Sequence, residues 1–217
     1  MHLATKLSFM TLALTGLMSN AQATVLPTNA SGVNVDVVAS NFGGTLLDSA
    51  TTAISNLSWN GIAHTAVYQT ATGLDFYYQF NNDESSQNGI HRFTGFDFSS
   101  LGATNVDVYQ TATGFGIFSN GNITSNYADR SLAGVIGFEF APVGMGDITP
   151  GTNSYIQIIR TNATSYQAGN FVISNGIGAN AVAFASATAV PEASTSLMVI
   201  SGLGLMGLIG ARRSRKS

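Results

Sequence analysis

Short runs of alternating apolar and polar residues fill most of the chain between residues 24 and 189. In residues 74–80 the even-numbered positions are all apolar or aromatic, whereas Asp75, Tyr77 and Gln79 occupy the odd ones. Such alternation places the two sets on opposite faces of a half-buried strand. Similar runs occur at 33–37, 106–110, 134–140, 155–160 and 170–173. Their lengths suit strands rather than helices, so the pattern predicts β-structure.

Glycine and asparagine separate these runs and supply the turns between them. The dipeptides at 43–44, 88–89, 120–121 and 175–176 are Gly-Gly or Asn-Gly, which readily adopt the positive φ angles of tight turns. Single-faced strands joined in this way favour an all-β fold, and we expect residues 24–189 to form an antiparallel β-sandwich. A sheet closed into a barrel is the alternative, and residues 49–58 fit either a short helix or another strand.

The composition supports strands and excludes several kinds of chemistry. Only 9% of the residues are charged, too few for the exposed faces of long amphipathic helices. The chain has no cysteine, which excludes disulfides, thiolate zinc sites, thiol nucleophiles and a lipid-bearing cysteine. Stability must therefore come from packing and from backbone pairing.

The charges are distributed unevenly along the chain. Between the two ends only Arg92, Arg130 and Arg160 are basic, against ten acidic residues, so this region has a net charge of three minus ten, or −7. A nucleic acid requires a basic face that neutralises its phosphates. We therefore expect no nucleic acid among the partners.

Residues 1–23 have the three parts of a secretory signal peptide. Lys6 supplies the positive charge, residues 7–18 form an apolar run, and Ala21-Gln22-Ala23 is a small-residue cleavage site. A membrane-spanning anchor, which is the alternative, needs a longer apolar run. We expect cleavage after Ala23, so that the mature chain begins at Thr24.

The C-terminal residues combine an uncharged apolar segment with a basic tail. Residues 194–211 carry no charge and would form a helix of about 27 Å at roughly 1.5 Å per residue, slightly less than the hydrocarbon core of about 30 Å. Glycines at 202, 204, 207 and 210 lower both its hydrophobicity and its helix propensity. The segment fits a transmembrane helix of transient use, and a permanent single-pass anchor is the alternative.

The basic tail, residues 212–217, sets the orientation of this helix. It contains Arg212, Arg213, Arg215 and Lys216, and such clusters stay on the cytoplasmic side of a membrane. The residues before the helix would then lie on the far side, in agreement with the signal peptide. We expect an exported domain that is transiently held at the membrane.

A short motif, residues 190–193, precedes the helix. The arrangement of Val190-Pro191-Glu192, a glycine-rich helix and an arginine-rich tail resembles the PEP-CTERM sorting signal of Gram-negative bacteria. Ala193 departs from the usual pattern, in which a second proline stands at this position. Pro191 also disfavours the α conformation at Val190, so the chain before the helix should be extended and accessible to a protease.

The resemblance implies a function in protein sorting. Proteins of this kind are processed by an exosortase, a membrane-embedded cysteine protease, which would cut near Pro191 and Glu192 and deliver the domain to the cell surface or the extracellular space. They are often linked to exopolysaccharide, biofilm and floc formation. The resemblance thus implies a structural or adhesive protein whose partners are the exosortase, the membrane and exopolysaccharide. A secreted carbohydrate-binding module is the alternative.

No sequence motif predicts catalysis or a cofactor. His64 and His91 lie far apart and outside any HExxH pattern, and the chain has no GxSxG nucleophile motif. Asp83 with Glu84, Asp97 and Glu139 are available as paired carboxylates for glycoside cleavage, although solvated turns explain acidic residues equally well. We expect no enzyme and no cofactor, with a carbohydrate-active enzyme as the least favoured option.

Two further features offer binding chemistry. Residues 81–84, Asn-Asn-Asp-Glu, gather oxygen ligands of the kind that calcium prefers, but they match no EF-hand or RTX repeat and we assign no metal site. Trp59, Tyr77 and Tyr127 have faces on which sugar rings stack. Isolated aromatic residues are nevertheless more often part of a core.

One hexapeptide occurs twice in the chain. The sequence Tyr-Gln-Thr-Ala-Thr-Gly stands at 68–73 and again at 109–114, each time before a segment rich in phenylalanine. Two copies are too few for a solenoid. We interpret them as two equivalent hairpins, with chance similarity in a low-complexity composition as the alternative.

Overall fold

Strands make up most of the described part of the protein. The computed structural model describes residues 24–95, 98–102, 106–140 and 147–187. The strands are β1 (Thr24–Val25), β2 (Ala30–Asn34), β3 (Asp36–Val37), β4 (Thr45–Ser55), β5 (Asn60–Gln69), β6 (Leu74–Asn82), β7 (Arg92–Gly95), β8 (Val106–Thr111), β9 (Tyr127–Arg130), β10 (Ile136–Glu139), β11 (Ile156–Thr161), β12 (Tyr166–Ser174) and β13 (Gly178–Ser186). One 3₁₀ turn, Ser99–Leu101, follows β7, and the described ranges contain no α-helix.

The strands form two sheets. Sheet A has the order β1-β8-β11-β6-β5-β4, with β3 also paired to β8, and sheet B has the order β13-β12-β7-β10-β9-β2. Neighbouring strands are antiparallel, apart from the short parallel pair β3–β8. The prediction of an all-β fold with two antiparallel sheets is confirmed. Most of residues 49–58, which fitted a helix or a strand, belong to β4.

The predicted strand at 33–37 divides between the two sheets. β2 pairs with β9 in sheet B, whereas β3 pairs with β8 in sheet A. Val35 lies between them and is buried. The continuous alternation in the sequence therefore marks a crossing from one layer to the other.

The main core lies between the sheets. On β6, Tyr78 and Phe80 face sheet B, where their rings meet Phe171 at a centroid distance of 5.0 Å and Phe93 at 6.5 Å. All four side chains are almost completely buried. The apolar face predicted for residues 74–80 is therefore the one that packs between the layers.

The opposite face of β6 is buried as well. Asp75, Tyr77 and Gln79 have no exposed surface, because residues of the loops after β3 and β8, including Phe42 and Phe115, pack over sheet A. The expectation that this strand is half-buried is wrong. We call this second layer of packing the outer cluster; its buried members are Val38, Ala66, Tyr68, Tyr77, Tyr109, Phe118, Ile156 and Ile158.

The edge strand β13 is joined to the rest of the fold by hydroxyl groups. The Ala187 N–H donates to Ser165 O at 3.0 Å. Because backbone groups alternate in direction along an antiparallel strand, the N–H and C=O groups of the odd-numbered residues of β13 point toward β12 and the carbonyls of its even-numbered residues point away from it. Three hydroxyls donate to those carbonyls: Thr65 to Val182 (3.0 Å), Tyr78 to Phe184 (2.7 Å) and Ser100 to Ser186 (3.3 Å). Side-chain hydroxyls thus donate to backbone carbonyls of β13 that would otherwise lack hydrogen-bond donors at this edge of the sheet.

The two copies of the hexapeptide have different surroundings. Residues 68–73 end β5 and form the turn into β6, where the Thr70 N–H donates to Gly73 O at 2.8 Å. Residues 109–114 end β8, whose partners are β1, β3 and β11, and then enter a loop. The prediction of two equivalent hairpins is wrong for the second copy. What the copies share is a tyrosine, Tyr68 or Tyr109, in the outer cluster.

Candidate functional site

The predicted sorting residues fall outside the described ranges. These residues are Ala21, Ala23, Val190, Pro191, Glu192, Ala193, Arg212, Arg213, Arg215 and Lys216. The helix predicted at 194–211 lies outside them too. Within the described ranges, no helix has the length and apolar character needed to cross a membrane.

The motif nevertheless follows the folded domain almost directly. β13 ends at Ser186, and Ala187 is still fixed by its hydrogen bond to Ser165. Glu192 lies five positions after Ala187, and a fully extended chain of that length spans at most about 18 Å. Pro191 and Glu192 are therefore tethered close to the end of β13.

The carboxylates considered for glycoside cleavage have separate partners. Glu139 on β10 accepts a hydrogen bond from Nη1 of Arg92 at 3.1 Å. Asp83 follows β6, and its Oδ1 accepts from the Ser85 N–H at 2.8 Å, closing its own turn. Asp97 lies outside the described residues. Asp83 and Glu139 thus bond to different neighbours, Ser85 and Arg92, rather than to each other.

Side chains of the polar run at 81–84 form hydrogen bonds with their surroundings. The Asn82 amide is buried and donates to Ile148 O at 2.8 Å, while Asp83 caps its own turn. Across the described ranges, no three acidic, histidine or cysteine side chains stand close enough to hold a metal.

Two of the three candidate stacking residues are inaccessible. Trp59 is 2% exposed and Tyr77 is 0% exposed. Trp59 packs edge-on against Phe80, and its Nε1 donates to Asn175 Oδ1 at 3.2 Å. Tyr127, at 46% exposure, keeps an accessible face. Sugar rings therefore cannot stack on Trp59 or Tyr77 in this fold.

A charged row that the sequence did not indicate crosses the outer face of sheet A. The strand registers pair Arg160 on β11 with Asp75 on β6 and with Asp107 on β8. Arg160 Nε donates to Asp75 Oδ1 at 3.1 Å, and Nη2 donates to Oδ2 at 2.9 Å. The three residues are distant in sequence, and only the strand order brings them together.

Arg160 is held from two sides. Its Cζ lies 3.7 Å from the centroid of the Phe42 ring, and Phe42 meets Tyr109 edge-on at 4.6 Å. Burial raises the pKa of Asp75, and the hydrogen bonds and charge of Arg160 oppose that rise. A bidentate carboxylate and a stacked ring therefore fix the position of the guanidinium.

A cleft of about 300 Å³ opens beside the row. Its lining consists of Thr72, Asp107, Tyr109, Arg160, Thr161 and Asn162. Burial raises the pKa of the Asp107 carboxyl, against the effect of the Arg160 charge. Within the described residues, the Asp107 carboxylate accepts no hydrogen bond, and the bonds of Arg160 involve Nε and Nη2 only. The lining thus includes a carboxylate and a guanidinium nitrogen, Nη1, that have no hydrogen-bond partner among the described residues.

Comparison with known proteins identifies the C-terminal segment. Residues 189–216 match the family model described as the PEP-CTERM protein-sorting motif, so the resemblance found in the sequence is confirmed and the chain carries this motif. Searches of curated proteins and of solved structures gave no match. The role of the exported domain must therefore be argued from its own geometry.

Proposed function

We propose that this carrier of a PEP-CTERM motif is an exported protein that an exosortase cuts near Pro191 and Glu192 and delivers to the cell surface or the extracellular matrix. The observation that carries the proposal is the motif matched at residues 189–216. The signal peptide would start export, the apolar helix would hold the domain at the membrane, and the basic tail would keep the C-terminus in the cytoplasm.

The end of the folded domain is compatible with such a cut. Cleavage near Glu192 falls several residues after Ala187, which is the last described residue of this part of the chain and is bonded to Ser165 beside sheet B. No described strand would be lost, so the released domain would keep its complete core. The short tether would also hold the domain next to a membrane-embedded protease before release.

Within the matrix the domain would have a structural or adhesive, non-enzymatic role around exopolysaccharide. This part rests on the association of PEP-CTERM proteins with exopolysaccharide, and the separate partners of Asp83 and Glu139 are consistent with it. The second candidate is a carbohydrate-binding module, which the cleft beside Arg160 favours because unused polar groups converge there.

Substitutions in the motif test the sorting proposal in the producing cells. The double variant Pro191→Ala, Glu192→Gln should accumulate in the membrane fraction and be lost from the surface and the medium. Thr188→Ala, which lies close by but outside the matched residues 189–216, is the matched control and should be released like the wild type. Efficient release of the double variant would refute processing at this motif.

The matrix role is tested by removing the protein from the same cells. We expect cells without it to retain less exopolysaccharide at their surface, and the wild-type chain to restore retention. A chain that ends at residue 187 should be exported without restoring it. Unchanged retention in its absence would contradict the matrix role while leaving the sorting result intact.

A further inference from the structure

The cleft beside Arg160 combines a fixed donor with a carboxylate to which no protein group donates. Nη1 of Arg160 is not used in the bidentate pair with Asp75, and the Asp107 carboxylate next to it on β8 is half-buried. A carboxylate with no protein donor is open to ligand hydroxyl groups, which can replace the water that solvates it. The cleft of similar size on the β4–β5 hairpin has a single charged residue, the exposed Asp83, and lacks this convergence.

We propose that this cleft binds a neutral sugar unit of a polysaccharide. A hydroxyl group donates and accepts at once, so neighbouring hydroxyls of a sugar can donate to Asp107 and accept from Arg160. Asn162 and Thr72 add an amide and a hydroxyl to the lining. This inference deepens the proposed matrix role by naming the class of ligand and the residues that recognise it.

The Arg160 guanidinium is already in place before binding. The Arg160 guanidinium lies between the Phe42 ring and the Asp75 carboxylate, and Asp75 itself has no exposed surface. Ligand binding would therefore cost little side-chain entropy at Arg160. Charge-assisted hydrogen bonds to Asp107 and Arg160 would be stronger than those between neutral groups.

The charges around the cleft favour a neutral ligand over an acidic one. Two carboxylates, Asp75 and Asp107, flank the single guanidinium of Arg160, and Asp36 is paired with Tyr109 on the neighbouring short strand. A uronic acid would meet this excess negative charge. An ammonium group would satisfy Asp107 but would place a positive charge beside Nη1.

The size of the cleft limits how much of a glycan enters. Its volume of about 300 Å³ is at the lower end of the range of roughly 300–1,000 Å³ found for small-ligand sites. A single unit or the end of a chain fits this space better than a long segment. Contacts with the rest of a polysaccharide would then lie on the open surface around it.

The test is calorimetric titration of the full chain, purified in a detergent whose headgroup is not a sugar. The probes are cellotetraose, mannotetraose and galactotetraose as neutral ligands and trigalacturonic acid as the acidic one. We expect at least one neutral probe to bind, and Asp107→Asn to weaken it by about ten-fold or more, the effect of one charge-assisted hydrogen bond. Thr72→Tyr, which fills the cleft, should also abolish binding.

The matched control is Asp48→Asn, which removes an exposed carboxylate on β4 and should bind like the wild type. Absence of binding to every neutral probe would overturn the inference. Equal affinity of the wild type, Asp107→Asn and Thr72→Tyr would do so as well, and so would tighter binding of trigalacturonic acid. Sorting is judged separately from motif variants, so failure of the sugar site leaves that result unaffected.

Discussion

The hydroxyl of Tyr78 donates a 2.7 Å hydrogen bond to the carbonyl of Phe184, and both residues are buried. The bond joins the inner face of sheet A to the edge strand of sheet B. Burial raises the pKa of Tyr78, so the phenol stays protonated and can donate. The sandwich is therefore held along this side by side-chain hydroxyls as well as by apolar packing.

Removal of this hydroxyl should destabilise the domain. In Tyr78→Phe the Phe184 carbonyl would stay buried without its donor, at a cost of about 1–3 kcal/mol. Urea unfolding followed by the fluorescence of Trp59, the single tryptophan of the chain, measures the change. Tyr127→Phe, on an exposed side chain, should shift stability by less than about 0.5 kcal/mol. Equal effects of the two variants would contradict the assigned role of the bond.

Gly137 gives Arg92 the room to reach Asp129. A Cβ at position 137 would overlap Nη2 of Arg92, which donates to Asp129 Oδ2 at 2.6 Å. We expect Gly137→Ala to displace the guanidinium and to be less stable than Gly95→Ala by about 1 kcal/mol. At position 95 the nearest atom to a Cβ lies 3.6 Å away, an ordinary contact.

The same pair of alanine variants separates the ion pair from simple crowding. Arg92 and Asp129 are partly exposed, so about 1 M salt should screen their attraction. The difference between Gly137→Ala and Gly95→Ala should therefore shrink when salt is added to the urea titrations. A difference that is the same in low and high salt would mean that Gly137 matters through packing alone.

His64 should make the domain sensitive to mild acid. Burial lowers its pKa from the ordinary value of 6.5, so between the folded and unfolded values the unfolded chain binds more protons. Stability then rises with pH across this window and is lost as the pH falls below about 6.5, by at most about 1.4 kcal/mol per pH unit. Unfolding free energies of wild type and His64→Gln between pH 7.5 and 5 measure the effect.

In that series the wild type should lose more stability than His64→Gln, because only the wild type has to take up a proton at a buried imidazole. The His91→Gln variant keeps His64, so it should still lose the stability that protonation of His64 costs. Parallel pH profiles for the wild type and His64→Gln would refute the assignment to this residue.

The pair formed by Arg160 and Asp75 should behave as a unit. Arg160→Met would leave a fully buried carboxylate without its partner, which costs about 3–5 kcal/mol when a buried pair is broken from one side. Since Arg160 is partly exposed, we expect a value near the lower limit. Adding Asp75→Asn should recover part of the loss. The free energy of unfolding of the double variant decides between the two possibilities. If it lies below that of Arg160→Met by as much as Asp75→Asn alone destabilises the wild type, the two side chains act independently.

The sequence predicted those features that depend on neighbouring residues. The alternation in β6 identified the face that carries Tyr78 and Phe80, and the C-terminal motif was recognisable because its parts are contiguous. Burial of Tyr77 was not predictable, since it depends on loops that return from distant parts of the chain. The row containing Arg160 was missed for the same reason: its three strands become neighbours only through the sheet order.

The intact mass of the surface-associated protein shows directly whether the sorting signal is processed. We expect a chain that begins at Thr24, ends between Val190 and Ala193, and lacks the apolar helix and the basic tail. Recovery from the cell surface of a chain that still extends through Lys216 would contradict processing by the sorting motif.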